Sequence, residues 1–142
     1  MLNRIEYIIV ENKSLVLESY VGKLNIDEFI EFKIKVGNDQ TYDPNFNVIH
    51  DFRKVEFLLE MDEIPKYVAF ISKTKKLLGN RKSAMITKTP NQVVITTGFD
   101  MLINELPIQV KVCSTPETAF NFVDLPKKDW NVIKSLLDSL KK

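Results

Sequence analysis

Cys113 is the only cysteine of this chain and His50 its only histidine. One cysteine excludes an intrachain disulfide, which fits a reducing compartment. One histidine with one cysteine cannot supply the three or four nitrogen and sulfur ligands of a zinc site. Gly22, Gly37, Gly79 and Gly98 stand singly, so there is no glycine-rich phosphate cradle and no dinucleotide fingerprint. No cofactor is expected. Apolar runs such as Tyr7 to Val10 and Val93 to Ile95 fall far short of the ~20 residues of a membrane span. The N-terminus has no apolar core and carries Glu6 early, unlike a secretory signal. A cytoplasmic location is the expectation. The net charge is +1, which argues against nonspecific nucleic-acid binding, a process that must neutralise many phosphates.

What is present is an ordinary globular composition, 44% hydrophobic and 27% charged. At 142 residues the expectation is one domain spanning 1–142, large enough to hide roughly 68–70% of its unfolded surface. Glu6 to Val10 and Leu15 to Val21 read as strands joined by the short polar turn Glu11 to Ser14, an antiparallel hairpin that Gly22 ends. Asn25 reads as a helix N-cap with Asp27 and Glu28 in the first turn. Phe29, Ile30, Phe32, Ile34 and Val36 supply that helix's apolar face, and Gly37 its stop. A second helix starts near Asp62, with Pro65 in its first turn and Tyr67, Val68, Ile71 and Leu78 at helical spacing. Lys82 to Thr87 is a strand, and Asn91 to Glu105 a helix despite the β-branched run Val93 to Thr97. Ile108 to Cys113 alternates as a strand. Ser114 to Glu117 reads as a capping box with Ser114 as the cap. After Pro126 a last helix aligns Trp130, Ile133, Leu137 and Leu140. Strands alternating with helices predict an α/β fold: a mixed, mostly parallel sheet of about five strands, flanked by helices.

The most informative stretch is Tyr42 to Val55. The turn Asp43-Pro44-Asn45 feeds a short strand, Asn47 to Ile49, which runs into the charged pair Asp51 and Arg53. Ligands and partners of open α/β sheets meet the carboxyl ends of strands, so charge placed there marks a candidate site. Glu60, Asp62 and Tyr67, at the start of the next helix, complete the candidate set. The plainer alternative is that Asp51 caps a loop with Arg53 paired to it, and that the two acids cap a helix.

This series of motifs resembles the STAS-like, or SpoIIAA-like, family. The resemblance rests on the order of elements, on Asp43-Pro44-Asn45-Phe46 before the third strand and Asp51-Phe52-Arg53-Lys54-Val55 after it. The closing pattern, Val110 to Ser114 followed by Pro116-Glu117-Thr118-Ala119-Phe120, is similar to the family's last strand and helix. The resemblance implies a non-enzymatic regulatory module. The family's switch is a serine, phosphorylated where the second helix opens, because amides there stabilise the dianion and the phosphate blocks a partner surface. The matching positions here are Leu59-Glu60-Met61-Asp62, without a hydroxyl, so the switch does not carry over. The chain is closest to the small stand-alone bacterial branch, some of which is similar to lipid-binding carriers of Sec14-like architecture.

No catalytic set emerges. Alternation puts Val48, His50 and Phe52 on one face and Asp51 on the other, so His50 and Asp51 cannot form a dyad, and a hydrogen-bonded structural histidine is preferred. Cys113, at the end of an apolar strand, is expected to be a buried small hydrophobe. The lysines of Lys73 to Lys82 are explained by the helix dipole. Two readings stand. One is a protein-binding module acting through Arg53 to Tyr67. The other is a carrier of a small apolar ligand or lipid, with Phe29, Phe32, Tyr67 and Phe70 lining the pocket. A homodimer through the Trp130 to Leu140 stripe is weighed against burial of that stripe on its own sheet.

Overall fold

The computed structural model describes residues 3–141. They form one five-stranded sheet in the order β1-β2-β3-β4-β5, with β1 Arg4–Val10, β2 Leu15–Leu24, β3 Asn47–Phe57, β4 Arg81–Ile86 and β5 Ile108–Cys113. The β1–β2 hairpin is antiparallel and every other pairing is parallel. The helices are α1 Ile26–Gly37, α2 Ile64–Lys73, α3 Pro90–Leu102, α4 Pro116–Phe122 and α5 Trp130–Ser139. The mixed, mostly parallel sheet with an antiparallel N-terminal hairpin is the architecture expected from the alternation of elements.

Strands laid down in sequence order, joined by crossovers of one hand, put every connecting helix on the same face. α1, α2 and α3 share that face, over an aromatic core of Tyr20, Phe29, Phe32, Phe52, Phe57 and Tyr67. The other face is covered only because α4 and α5 follow the last strand. Their Phe120, Ile133 and Leu137 are fully buried against Leu17, Ile49, Ala84 and Ile86. The Trp130 to Leu140 stripe is thus spent on its own sheet, and it does not offer the homodimer face weighed above.

Several boundaries differ from the sequence reading. Gly22 does not end β2: its φ of +115° bends the strand, which continues to Leu24 and pairs with β3 as far as Phe57. A Cβ at Gly22 would lie 2.3 Å from Asn3 Oδ1, and that oxygen accepts from the Lys23 amide at 2.8 Å. Gly37 does end α1, as expected of it, with Asn38 as the C-cap. The cap of α4 is Thr115, not Ser114: its hydroxyl accepts from the Thr118 amide at 3.1 Å. Pro116 then takes N1, the helical position a proline fits best. α2 is shorter than its periodicity suggested, preceded by the 3-10 turn Met61–Glu63 and followed by another, Lys75–Leu77. α3 stays helical through its β-branched run. Thr89 and Gln92 form a full capping box, and Pro90 stands at N1.

The largest difference is in β3, which runs to Phe57 rather than stopping at Ile49. Ser19 is opposite Asp51 and Val21 is opposite Lys54, so Tyr20 faces both Phe52 and Arg53, a β-bulge on β3. The bulge reverses the alternation. Val48 and Phe52 face the aromatic core before it, and Val55 and Phe57 face the same core after it. Period-two reading breaks at this point, which is why the strand looked short.

Candidate functional site

Asp51 is 1% exposed in mid-strand β3, not at the strand's end. It is nonetheless level with the carboxyl ends of the neighbouring strands, opposite Ile86, which is in turn opposite Cys113. Its carboxylate accepts from Arg53 Nε and Arg53 Nη2 at 2.9 Å each, and it pairs with Lys141 just beyond α5. Burial pushes the Asp51 carboxyl up, but the Arg53 and Lys141 hydrogen bonds and charges outweigh it and hold the group below its usual value. Asp51 and Arg53 are therefore brought together, and Lys141 joins them, a partner no local pattern signals.

The other three candidate residues stand on the opposite face. Tyr67 is buried in the aromatic core, edge-on to Phe29 with centroids 4.7 Å apart. Glu60 and Asp62 are exposed at the turn into α2. The helix-start acid that reaches back is Glu63, whose carboxylate accepts from the Glu60 amide at 2.9 Å. The charged pair of β3 and the opening of α2 thus do not form one docking spot, because Asp51 points toward α5 while α2 packs over the other side of the sheet.

Sequence reasoning missed a second buried ionic group. Glu18, from β2, accepts from Lys33 Nζ of α1 at 2.6 and 2.7 Å and from the Tyr20 hydroxyl at 2.6 Å. His50 Nδ1 lies 2.8 Å from Glu18 Oε1, close but too poorly aligned for a hydrogen bond. Burial pushes the imidazole down to about 4, helped by the Lys33 charge and opposed by Glu18. His50 is therefore neutral at pH 7. Burial alone would raise the Glu18 carboxyl, but Lys33 and His50 hold it well below the ordinary range. The signal for this group was in the chain: a glutamate inside an apolar strand, and a lysine on the apolar face of α1. Cys113 is 7% exposed, and burial pushes its thiol up to about 11. It is a protonated small hydrophobe at neutral pH, not a nucleophile.

Under α2 is an apolar cavity lined by Phe29, Phe52, Tyr67, Ile95 and Phe99 among others, with a volume of about 40 Å³. Pockets for small organic ligands run roughly 300–1,000 Å³, so it has room for little more than a water or a methyl group. Above it the surface is unusually apolar. Leu58, Met61, Val94, Met101 and Leu102 are between 45% and 70% exposed. They adjoin. A Cβ on Gly98 would lie 2.6 Å from Met61 Cε; Val94, Met101 and Leu102 are three or four residues from Gly98 and share its helix face. Asn91 ties α3 to the backbone of Phe57, beside Leu58, with bonds of 2.9 and 3.2 Å. Glu60 and Asp62 flank Met61.

No protein-family model matches the chain, and no curated protein matches its sequence. Among solved structures it is similar to an uncharacterised protein of the DUF3478 family with a SpoIIAA-like fold, from Shewanella loihica PV-4. The TM-score is 0.57 at 15% identity, covering 87% of this chain and 96% of that one. The chain therefore has the SpoIIAA-like, STAS-type fold that its order of elements anticipated. Among the described residues no helix is long and apolar enough to cross a membrane, and no group of acidic, histidine and cysteine side chains is placed to hold a metal ion.

Proposed function

We propose that this chain is a non-enzymatic, cytoplasmic regulatory module that binds a basic, amphipathic helical segment of another protein. The observation that carries this reading is the exposed apolar surface of Leu58, Met61, Val94, Met101 and Leu102 beside the acids Glu60 and Asp62. An apolar patch rimmed by charge suits a partner helix that presents an apolar stripe bordered by lysine or arginine. Two methionines in the patch let it adapt to the partner's side chains. Positions 59–62 carry no hydroxyl, so docking here is not gated by a phosphoserine at the helix opening.

Selection of displayed peptides on the intact protein tests this. The expected winners are basic amphipathic helices that fail to bind a Met61→Asp/Met101→Asp variant and bind weakly to Glu60→Lys/Asp62→Lys. Peptides that bind both variants as well as the parent, or no enrichment at all, would refute it. The carrier reading requires the cavity under α2 to widen roughly eightfold to reach ordinary ligand size. It is the lesser reading for that reason.

A further inference from the structure

On the face away from that patch, an open groove of about 340 Å³ is lined by Arg53, Lys54, Lys88, Ser114 and Lys141. We infer that this groove binds the phosphate group of a small phosphomonoester. Its lining comes from four separate segments: mid-β3, the loops just past β4 and β5, and the residue beyond α5. Such convergence of cations on one concavity is not produced by a single helix face or a charge run.

The backbone builds the groove in two ways. The β3 bulge breaks alternation between Arg53 and Lys54, and bulges commonly re-aim a side chain at a functional site; both of these consecutive cations line the same groove. The loops past β4 and β5 are clamped together. The Thr87 amide donates to the Cys113 carbonyl at 2.8 Å, and the Thr87 hydroxyl donates to the same oxygen at 3.2 Å. The Lys88 amide is fixed by Gln92 Oε1 at 2.7 Å. Lys88 and Ser114 are thus mounted on a rigid rim.

The charges facing the groove can be named. Asp51 sits behind it, occupied by Arg53 and Lys141. Asp138 lies 3.5 Å from Lys141, and Glu117, near Arg53, pairs with Lys134 at 3.3 Å. Lys54 and Lys88 are exposed and have no carboxylate partner among the described residues. Asp51 acts as a positioning residue. It takes Nε and one terminal nitrogen of Arg53, leaving the second terminal nitrogen without a hydrogen-bond partner among the described residues. A planar carboxylate is best held by a whole guanidinium fork, and here the fork is already used. What remains on the groove's lining is one guanidinium nitrogen, the unpaired ammonium groups of Lys54 and Lys88, the donor capacity of Lys141 not taken by Asp51 and Asp138, and Ser114, a set of point donors. That set suits a tetrahedral anion with several oxygens and two negative charges.

Titration calorimetry on the full chain tests this with inorganic phosphate and glycerol 3-phosphate, against sodium chloride at matched ionic strength. Vesicles containing phosphatidic acid form a third arm, since the same group occurs on a lipid. Saturable binding in the soluble arms is expected. Lys54→Gln/Lys88→Gln replaces two exposed side chains and leaves the fold intact; it should weaken binding about tenfold or more, given what a charge-assisted hydrogen bond contributes. Asp51→Asn should weaken it through misplaced Arg53 and Lys141. Met101→Asp should leave it unchanged, which separates this groove from the peptide-docking patch. Binding confined to the vesicles but equally lysine-dependent would place the phosphomonoester on a lipid. Heats no greater than those of chloride in every arm, or affinity unaltered in Lys54→Gln/Lys88→Gln, would overturn the assignment.

Discussion

The two faces of the sheet each carry a buried carboxylate with two nitrogen-bearing side chains beside it, and they differ in what surrounds the group. On the α1–α3 face Glu18, Lys33 and His50 are all sealed, with side-chain exposures of 1%, 8% and 5%. On the α4–α5 face Asp51 is equally buried, but Arg53 and Lys141 are 25% and 13% exposed and open onto a groove. A sealed ionic group has no ligand to meet; it ties α1 to β2 and β3 and its partners must satisfy one another. An open one leaves donor capacity directed at solvent. Where the same chemistry occurs twice, access separates the structural copy from the candidate site.

The strongest way to break this contrast is to remove one member of the sealed group. Glu18→Leu leaves Lys33 buried without its partner and should cost about 3–5 kcal/mol in urea unfolding. Glu18→Leu/Lys33→Met should recover most of that loss, because both desolvated charges are then gone. A double variant no more stable than the single one would show that the ion pair itself holds α1 in place.

Acid should act on the sealed face next. His50 ordinarily titrates near 6.5 and is held down to about 4 by burial. Between those values the unfolded chain takes up a proton that the folded chain refuses. Stability is therefore fully present above about pH 6.5 and lost as pH falls toward 4. The loss should be roughly 3 kcal/mol. His50→Asn should flatten that part of the stability profile between pH 6.5 and 4.5, and an unchanged slope would assign the loss to other groups.

On the open face Asp51→Asn should cost less than the sealed-face variant, about 1–3 kcal/mol, because its partners can turn to water. If it matches Glu18→Leu, the distinction between the faces fails. Smallest of all, Met101→Lys should change stability by no more than about 0.5 kcal/mol, since the side chain is 70% exposed. Its effect should be confined to peptide binding.

The order of elements was legible because each carries a local signature: β-branched and aromatic residues in β1 and β2, alternation in β5, Asn25 as the cap of α1, and Pro65 in the first turn of α2. Asp51 and Arg53 were legible as charge beside an apolar strand. Their partner was not, since Lys141 lies 90 residues from Asp51 along the chain and no spacing rule connects them. Tyr67 was read both as a member of the binding set and as a pocket-lining aromatic, because helical periodicity does not say what covers a helix face; Phe29 and Phe99 pack against it and make it core. The Glu18–Lys33 pair was visible as two charges at apolar positions, yet only the packing of α1 on β2 brings them within bonding distance.

By itself the sequence determined the alternation of strands and helices, because hydrophobic period, caps and proline positions act within a few residues. It also determined that no disulfide can form within these 142 residues, since they hold one cysteine. Only the tertiary structure decided which charges meet and which face water. The β3 bulge reverses a strand's facing by adding one residue, and the closing helices reach the bare side of the sheet only after every strand is in place. Both are consequences of long-range pairing, and no local pattern encodes them.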